Sequence, residues 1–503
     1  MTGPQIHAPE AIQPHGVLLA FRTDDGTLER CSANAAAVLG ASREALAGRT
    51  IGEVLGPDIA RQIGAAAPTQ WGATLIPRRF VDPAGGRHSV QFFAGGHHLV
   101  VEIEPQPDEE EDAFELLART QTGLEALRAV ADPRRLAQGL AELASEILGF
   151  DRIVVFRFDK DWNRDVIAEV RSETMPGSFL GLRVPAAALP PTARLLYLRA
   201  GVRPIVDVDA AATPIIAASG GMPATTPLDL SDSTLRSPPI EHVSHLRSVG
   251  VRASLTVAIE TGGRLWGILT AHNRQPRLLS AARRATVRLL ATSIAALLAA
   301  REEASRDHAT TERTLQISRA ASDILARDLE AAPALQAFAA ALVTTTGAGG
   351  AVIRVAGIEV GAGSMPDRAT VERILQVARG RMEAGRAAIE SLAEADPALA
   401  PHGASASGLV AMALPGGDGD ILALLHGEIS EEIVWATAPG DRPTDAGLPW
   451  VPAIFRRDSG PVGADEPRVE RTRGVARGWP DEVGPLLDVA REAVFDICRV
   501  TGE

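Results

Sequence analysis

The residues able to do chemistry are few. Cys31 and Cys498 are the only cysteines in 503 residues, and they lie far apart with no CxxC or other metal-ligand spacing, a usage that fits a reducing compartment. Cys31 sits inside the first apparent domain and reads as a small buried hydrophobe. His97-His98 lacks companion ligands at metal spacing, so an exposed strand edge is the simpler reading. Gly416-Gly417-Asp418-Gly419-Asp420 has the glycines of a nucleotide-cyclase signature but not its acidic pattern, and it suits a hairpin turn. No P-loop, nucleophile elbow or kinase phosphoacceptor histidine stands in a recognisable context. The expectation is a chain that is not an enzyme.

Bulk properties narrow the classes further. The length asks for about three domains. A composition of 46% hydrophobic and 22% charged residues is that of a soluble globular protein. A formal net charge of −13 without a long basic block argues against nucleic acid or an anionic membrane as partner. No run reaches the roughly 20 apolar residues of a membrane span, and the N-terminus lacks the basic-then-apolar order of a signal peptide. A cytoplasmic location is expected.

The elements that must position any site are legible as patterns. Val17–Phe21, His88–Phe93 and His98–Ile103 read as strands, and Ser32–Leu39 as helical. Phe114 to Val130 repeats apolar residues on one helix face. Arg152–Phe158, Ser254–Glu260 and Leu265–His272 read as strands of a second α+β segment, interrupted by a long aperiodic region at about 205 to 240. Residues 281 to about 331 form one long helical pattern without Pro or Gly, the mark of a spine or bundle seam. A third α+β segment follows, and Asp481 to about Val500 closes on an amphipathic helix.

Several motifs then stand in a familiar order. Ile12-Gln13-Pro14-His15-Gly16 resembles the opening of a phytochrome PAS domain. Phe150-Asp151-Arg152, Val154–Asp159, Asp161-Trp162, Val166–Glu169, Leu189-Pro190, Leu196-Tyr197, Leu235-Arg236-Ser237, Gly250–Ser254 and Leu265-Trp266-Gly267 are similar, in order and spacing, to the phytochrome GAF domain over about 120 residues. Ser430–Ala436 with Pro439, and later Arg473-Gly474 and Trp479-Pro480, resemble the base and end of the PHY tongue hairpin. The resemblance implies three tandem α+β modules on antiparallel sheets joined by long helices. Their expected spans are an N-terminal segment 1–11, PAS 12–113, a linking helix 114–132, GAF 133–300, a helical spine 301–331 and PHY 332–503. The tongue falls at about 430–480, and the last helix leads toward an output. A knot is also implied, with the N-terminal segment threaded through the long GAF loop.

The same resemblance assigns pocket roles. His242 and His272 match the histidines near the pyrrole nitrogens and the last ring's carbonyl of a bilin. Arg203 and Arg236 match the pair that clamps its two propionates, a task suited to a planar guanidinium. Ser254 and Thr256 match small hydroxyl positions near a propionate, and equally read as alternating strand residues. Tyr197, the one tyrosine, matches a family tyrosine and equally suits a core position. Phe156 and His245 stand where the family usually has tyrosine. Ala188 stands where it has an aspartate that pairs with a tongue arginine, for which Arg457 is the best candidate here. Trp435 belongs to the tongue. No cysteine precedes Ile6-His7-Ala8-Pro9, and Val243 follows the pocket histidine, so neither attachment position of the family carries a thiol.

The expectation is therefore a phytochrome-like sensory module, a homodimer with an unidentified downstream partner or output domain, without covalent chromophore attachment and light-insensitive or altered in photochemistry. The alternatives are a photoreceptor core holding biliverdin or another bilin non-covalently, the sensory half of a truncated histidine kinase or cyclase, and a haem or redox sensor that would need His242 or His272 as ligand.

Overall fold

The computed structural model describes residues 7–64, 78–107, 113–173, 175, 177–219, 227–417, 419–428, 432–435, 468–471, 479 and 483–502. It divides into two units, residues 1–301 with 434–468, and residues 302–433 with 469–503. The described strands build three predominantly antiparallel sheets.

The first sheet runs in the order Ala11–Ile12, Thr213–Ala217, Leu28–Ser32, Val17–Arg22, His98–Pro105, Arg87–Gly95, Arg78–Val81. Alternation in Val17–Arg22 sends Val17, Leu19 and Phe21 to a core with Cys31 and Ile59, and sends Leu18 and Ala20 to a second core with Ile12, Phe93, Leu230 and Leu235. Cys31 is fully buried there. The second core joins residues more than 200 positions apart, because the long loop returns to this sheet as the strand Thr213–Ala217. Residues 10–13 lie between its two arms. Ile215 donates its N–H to Glu10 O at 2.8 Å, while Gln13 and Ser237 donate theirs to Leu235 O at 2.7 Å and Ala11 O at 3.1 Å. A strand on one side and the isolated bridge from Ile12 to Arg236 on the other flank this segment, as a threaded segment requires.

Two expectations need correction here. Leu28–Ser32 is a strand, and only Ala35–Leu39 is helical, closed by Gly40 in the left-handed region. His98 is no exposed edge: its strand is inside the sheet, and the ring is bonded to the Glu29 carboxylate.

The second sheet holds Val202–Ile205, Ala253–Thr261, Arg264–Asn273, Arg152–Phe158, Arg164–Arg171 and Arg183–Val184 in spatial order. One face carries Ile153, Val155, Leu255, Val257, Leu269 and Ala271 against helices Pro133–Leu148 and Ala281–Leu325. Gly267 allows the two central strands to meet, since a Cβ there would sit 2.1 Å from Phe156 O. Backbone atoms cannot rotate aside, so Gly267→Ala is expected to cost about 1–3 kcal/mol of stability, read from chemical denaturation.

Helix Ala281–Leu325 is 45 residues long and stops short of the expected residue 331. Asp328 adopts φ 52°, and a second helix begins at Ala331 with Glu330 as its N-cap. Nothing in the Pro/Gly-free pattern marks that break, because here a non-glycine residue takes the left-handed conformation. The third sheet runs Ile358–Gly363, Gly350–Val355, Ile421–His426, Gly408–Ala413, Arg386–Ile389. Residues 416–420 lie between two of its paired strands, a hairpin connection as expected. Helix Val483–Thr501 packs Leu486, Val494 and Cys498 on Phe338 and Leu342.

Candidate functional site

The face of the second sheet opposite its helices is the site. It is apolar at one end, where Val154, Phe156, Ala258 and Ile268 cluster, and polar at the other. Register explains the polar end: Ser254 lies opposite His272, and Thr256 lies opposite both Thr270 and Arg203. Ser254, Thr256 and His272 are 3%, 5% and 7% exposed. Helix Ile240–Ser248, anchored by Val243 and Leu246, carries His242 and His245 three residues apart on one face. Their ring centroids are 6.4 Å apart.

Electrostatics tie these groups together. Burial pushes both His242 and His272 down to about 3, from an ordinary 6.5. His245, Arg203 and Arg164 lower His242 further, while Arg152, His245 and His242 act on His272. His272 Nδ1 is buried without a hydrogen-bond partner among the described residues. Burial also lowers the Arg203 guanidinium, against the pull of Tyr197. Among the described residues Arg203 makes no hydrogen bond or ion pair. Arg236, 2% exposed, donates Nη1 to Leu230 O at 3.3 Å and keeps a buried Nε with no acceptor among the described residues. Among the described residues, these buried and half-buried cationic donors have no carboxylate to meet them.

Neutral histidines give a pH dependence with a definite sign. Between pH 6.5 and 3 the folded protein binds fewer protons than the unfolded chain. The stability contributed by the neutral rings is therefore full above 6.5 and lost as pH falls toward 3. Imidazole NMR signals of both residues are expected to stay at neutral positions down to pH 4. His272→Gln is expected to lose less stability than the parent over that interval.

The other singled-out residues divide. Phe156 and Tyr197 join the apolar cluster beside the site, Phe156 at 9% exposure. Ala188 is exposed at the end of a 3-10 turn, its N–H donated to Pro185 O at 3.0 Å. Trp435 lies in the strand Glu432–Trp435, and its backbone pairs in parallel with Arg183. Arg457 lies outside the described residues. Among the described residues, no group of three or more His, Cys, Asp or Glu is placed to hold a metal ion.

Arg164 is the residue that sequence reasoning missed. Its guanidinium carbon stands 5.3 Å from the Phe156 ring centroid, and Nε is buried without an acceptor among the described residues. Burial lowers this guanidinium to about 10, with Tyr197 opposing and Arg194 adding. The cause of its placement is a bulge: Val155 pairs with Ala168, but Phe156 pairs with Val166, leaving Ile167 unmatched. Ala168 packs on the helix side and Val166 in the apolar cluster of the site face. Arg164, two residues before Val166, follows it to the site face.

Comparison with known proteins matches this chain to the PAS fold over residues 2–106, the GAF domain over 132–301 and the phytochrome region over 315–448. A phytochrome-like protein of Synechocystis sp. is 29% identical over 454 residues, covering 86% of this chain and 58% of that relative. A bacteriophytochrome of Xanthomonas campestris pv. campestris is 33% identical over 314 residues, 58% of this chain and 47% of that protein. The chain therefore spans between 47% and 58% of the length of these two relatives. The solved Stigmatella aurantiaca phytochrome photosensory core module superposes with a TM-score of 0.79 at 26% identity, covering 99% of this chain and 98% of that one. A bacteriophytochrome from R. palustris shares the fold with a TM-score of 0.80 at 24% identity, covering 98% and 97%. Among the described residues no helix is long and apolar enough to cross a membrane.

Proposed function

Since the chain belongs to the phytochrome family as a PAS–GAF–PHY core, we propose that it is a sensory module whose GAF pocket holds a bilin such as biliverdin without a covalent bond. The observation that carries this reading is the pair Arg203 and Arg236. Arg203 shares the sheet face of Thr256, Arg236 is 2% exposed in the long GAF loop, and neither meets a carboxylate among the described residues, so each is a cation whose desolvation is uncompensated and costly. A flat ligand with two carboxylates offsets that cost through charge-assisted hydrogen bonds. The orphaned His272 Nδ1 and the neutral His242 ring offer a donor or an acceptor to the ligand's polar edge.

A bound bilin supplies light absorption and double-bond isomerisation. The chain's own residues bind, orient and desolvate it. Anchoring is by these contacts alone, because Cys31 is sealed in the PAS core and Cys498 in the core of the second unit. With Ala at 188, Phe at 156 and His at 245, the hydroxyls and the carboxylate that link pocket to tongue in the family are replaced, so the light response is altered or lost. Signalling then runs through a homodimer. Phe114 and Leu117 on the linking helix and Leu289 on the long helix, 77%, 58% and 54% exposed, supply apolar surface for it.

The test is expression with biliverdin. Pigment is expected to co-purify, yet to leave the polypeptide on denaturation, so that a zinc-treated denaturing gel shows no fluorescent band. A colourless protein overturns the bilin reading. A stable, reversible red/far-red difference spectrum like that of a photoreceptor overturns the altered photochemistry alone.

A further inference from the structure

We propose that Arg164 is a further ligand-binding residue of this pocket, selecting a bilin whose conjugated ring system is uncharged rather than protonated. The inference rests on the reading that a bilin occupies the site, and it concerns the charge that the site accepts.

Arg164 enters the site face because of the bulge in its strand. Its guanidinium lies over Phe156, with Nε buried and unmatched. The titratable and charged groups that act on it are Tyr197 and Arg194 from helix Pro191–Ala200. Arg164 in turn acts on His242 of helix Ile240–Ser248, as does Arg203 from its own strand. Both of these latter groups are cations or neutral rings. Arg194 is itself stacked on Trp162, its guanidinium carbon 4.4 Å from the ring centroid. Among the described residues, the acids of this end of the sheet are already engaged. Asp159 and Asp165 bind Arg183, and Glu169 lies 3.3 Å from Arg152. Position 188 holds an alanine.

The charge count decides the matter. Two ligand carboxylates balance Arg203 and Arg236 and leave Arg164 over. A ring system carrying an extra proton would place a delocalised cation beside that unbalanced guanidinium, with no carboxylate among the described residues to offset it. Like charges a few ångströms apart in a dry site repel by an amount equivalent to roughly one to two pH units. The proton is therefore released to solvent, and Arg164 meets the lone pairs of an uncharged ring nitrogen or carbonyl instead. An exposed arginine elsewhere on the strand would be screened by water and would not do this.

The test loads the full chain with biliverdin and follows the visible spectrum from pH 5 to 10, since protonation strengthens and red-shifts the long-wavelength band. For Arg164→Gln the bound pigment is expected to titrate about one pH unit or more above the parent. Arg164→Met, which keeps apolar contact with Phe156, must give the same displacement, and Arg164→Lys must stay near the parent. An unchanged titration in both charge-free variants, with pigment still bound, overturns the role of Arg164 and leaves bilin binding standing. Failure of any pigment to co-elute with the parent overturns both.

Discussion

Arg284→Met is expected to destabilise the first unit by about 3–5 kcal/mol at pH 7, the cost of leaving a buried charge without its partner. Arg284 is 4% exposed and grips Glu104, 2% exposed, in a bidentate pair of 2.7 and 2.8 Å. Glu102, two residues earlier on the same strand and 1% exposed, accepts hydrogen bonds from Ser233 Oγ, Thr234 N, Thr234 Oγ1 and Leu235 N. One strand of the PAS sheet thus fastens both the long GAF loop and the long helix. Burial pushes Glu104 up, but Arg284 with His15 outweighs it and holds the carboxyl well below the ordinary range. Glu102 lacks such a cation and is left raised, chiefly by burial.

The sign follows from that difference. With its pKa depressed, Glu104 contributes stability that is present above its ordinary 4.5 and lost as pH falls below it. Once Arg284 is removed, burial dominates, the pKa rises, and the carboxyl costs stability as pH rises instead. The gap between parent and variant is expected to be widest at neutral pH and to narrow, without closing, toward pH 4. Denaturant midpoints at the two pH values check this. An equal loss at both would assign the effect to packing of the arginine stem rather than to its charge.

Arg203→Gln is expected to move affinity and stability in opposite directions. Arg203, half-buried and paired in register with Thr256, makes no hydrogen bond or ion pair among the described residues, so its removal relieves desolvation and leaves the ligand-free protein as stable or slightly more so. Biliverdin affinity is expected to fall about 10- to 100-fold, the worth of a hydrogen bond to a charged group. Arg203→Lys keeps the charge but not the planar fork and falls between. Pigment titration alongside chemical denaturation separates the two effects. A structural arginine would lose stability along with affinity, and that result would remove Arg203 from the site.

Much of the scaffold was legible because it follows local rules. Arg152–Phe158 appears as expected to the residue, and the two long strands that follow extend their expected ranges by one residue or so at each end. Val17–Phe21 alternates between two cores. Where local rules are neutral, the reading failed. Residues 326–330 carry no breaker, yet the helix ends there through Asp328. His98 looked like an edge residue, because nothing local shows that two strands would flank its own.

The site divides along the same line. Residue types and period-two spacing determined that Ser254 and Thr256 share a strand face, that His272 and Thr270 share another, and that only two thiols exist in the chain. Plain alternation back from Glu169 through Ile167 would put Asp165 on the pocket face and Arg164 on the other. The single unmatched residue at the Val155/Phe156 step reverses this and turns an expected acid into an observed base. A bulge is a property of two paired strands, settled by how both faces of the sheet pack, and one strand's sequence does not contain it. That Arg164 rather than Asp165 stands on this face of the sheet was decided only when the strands came together.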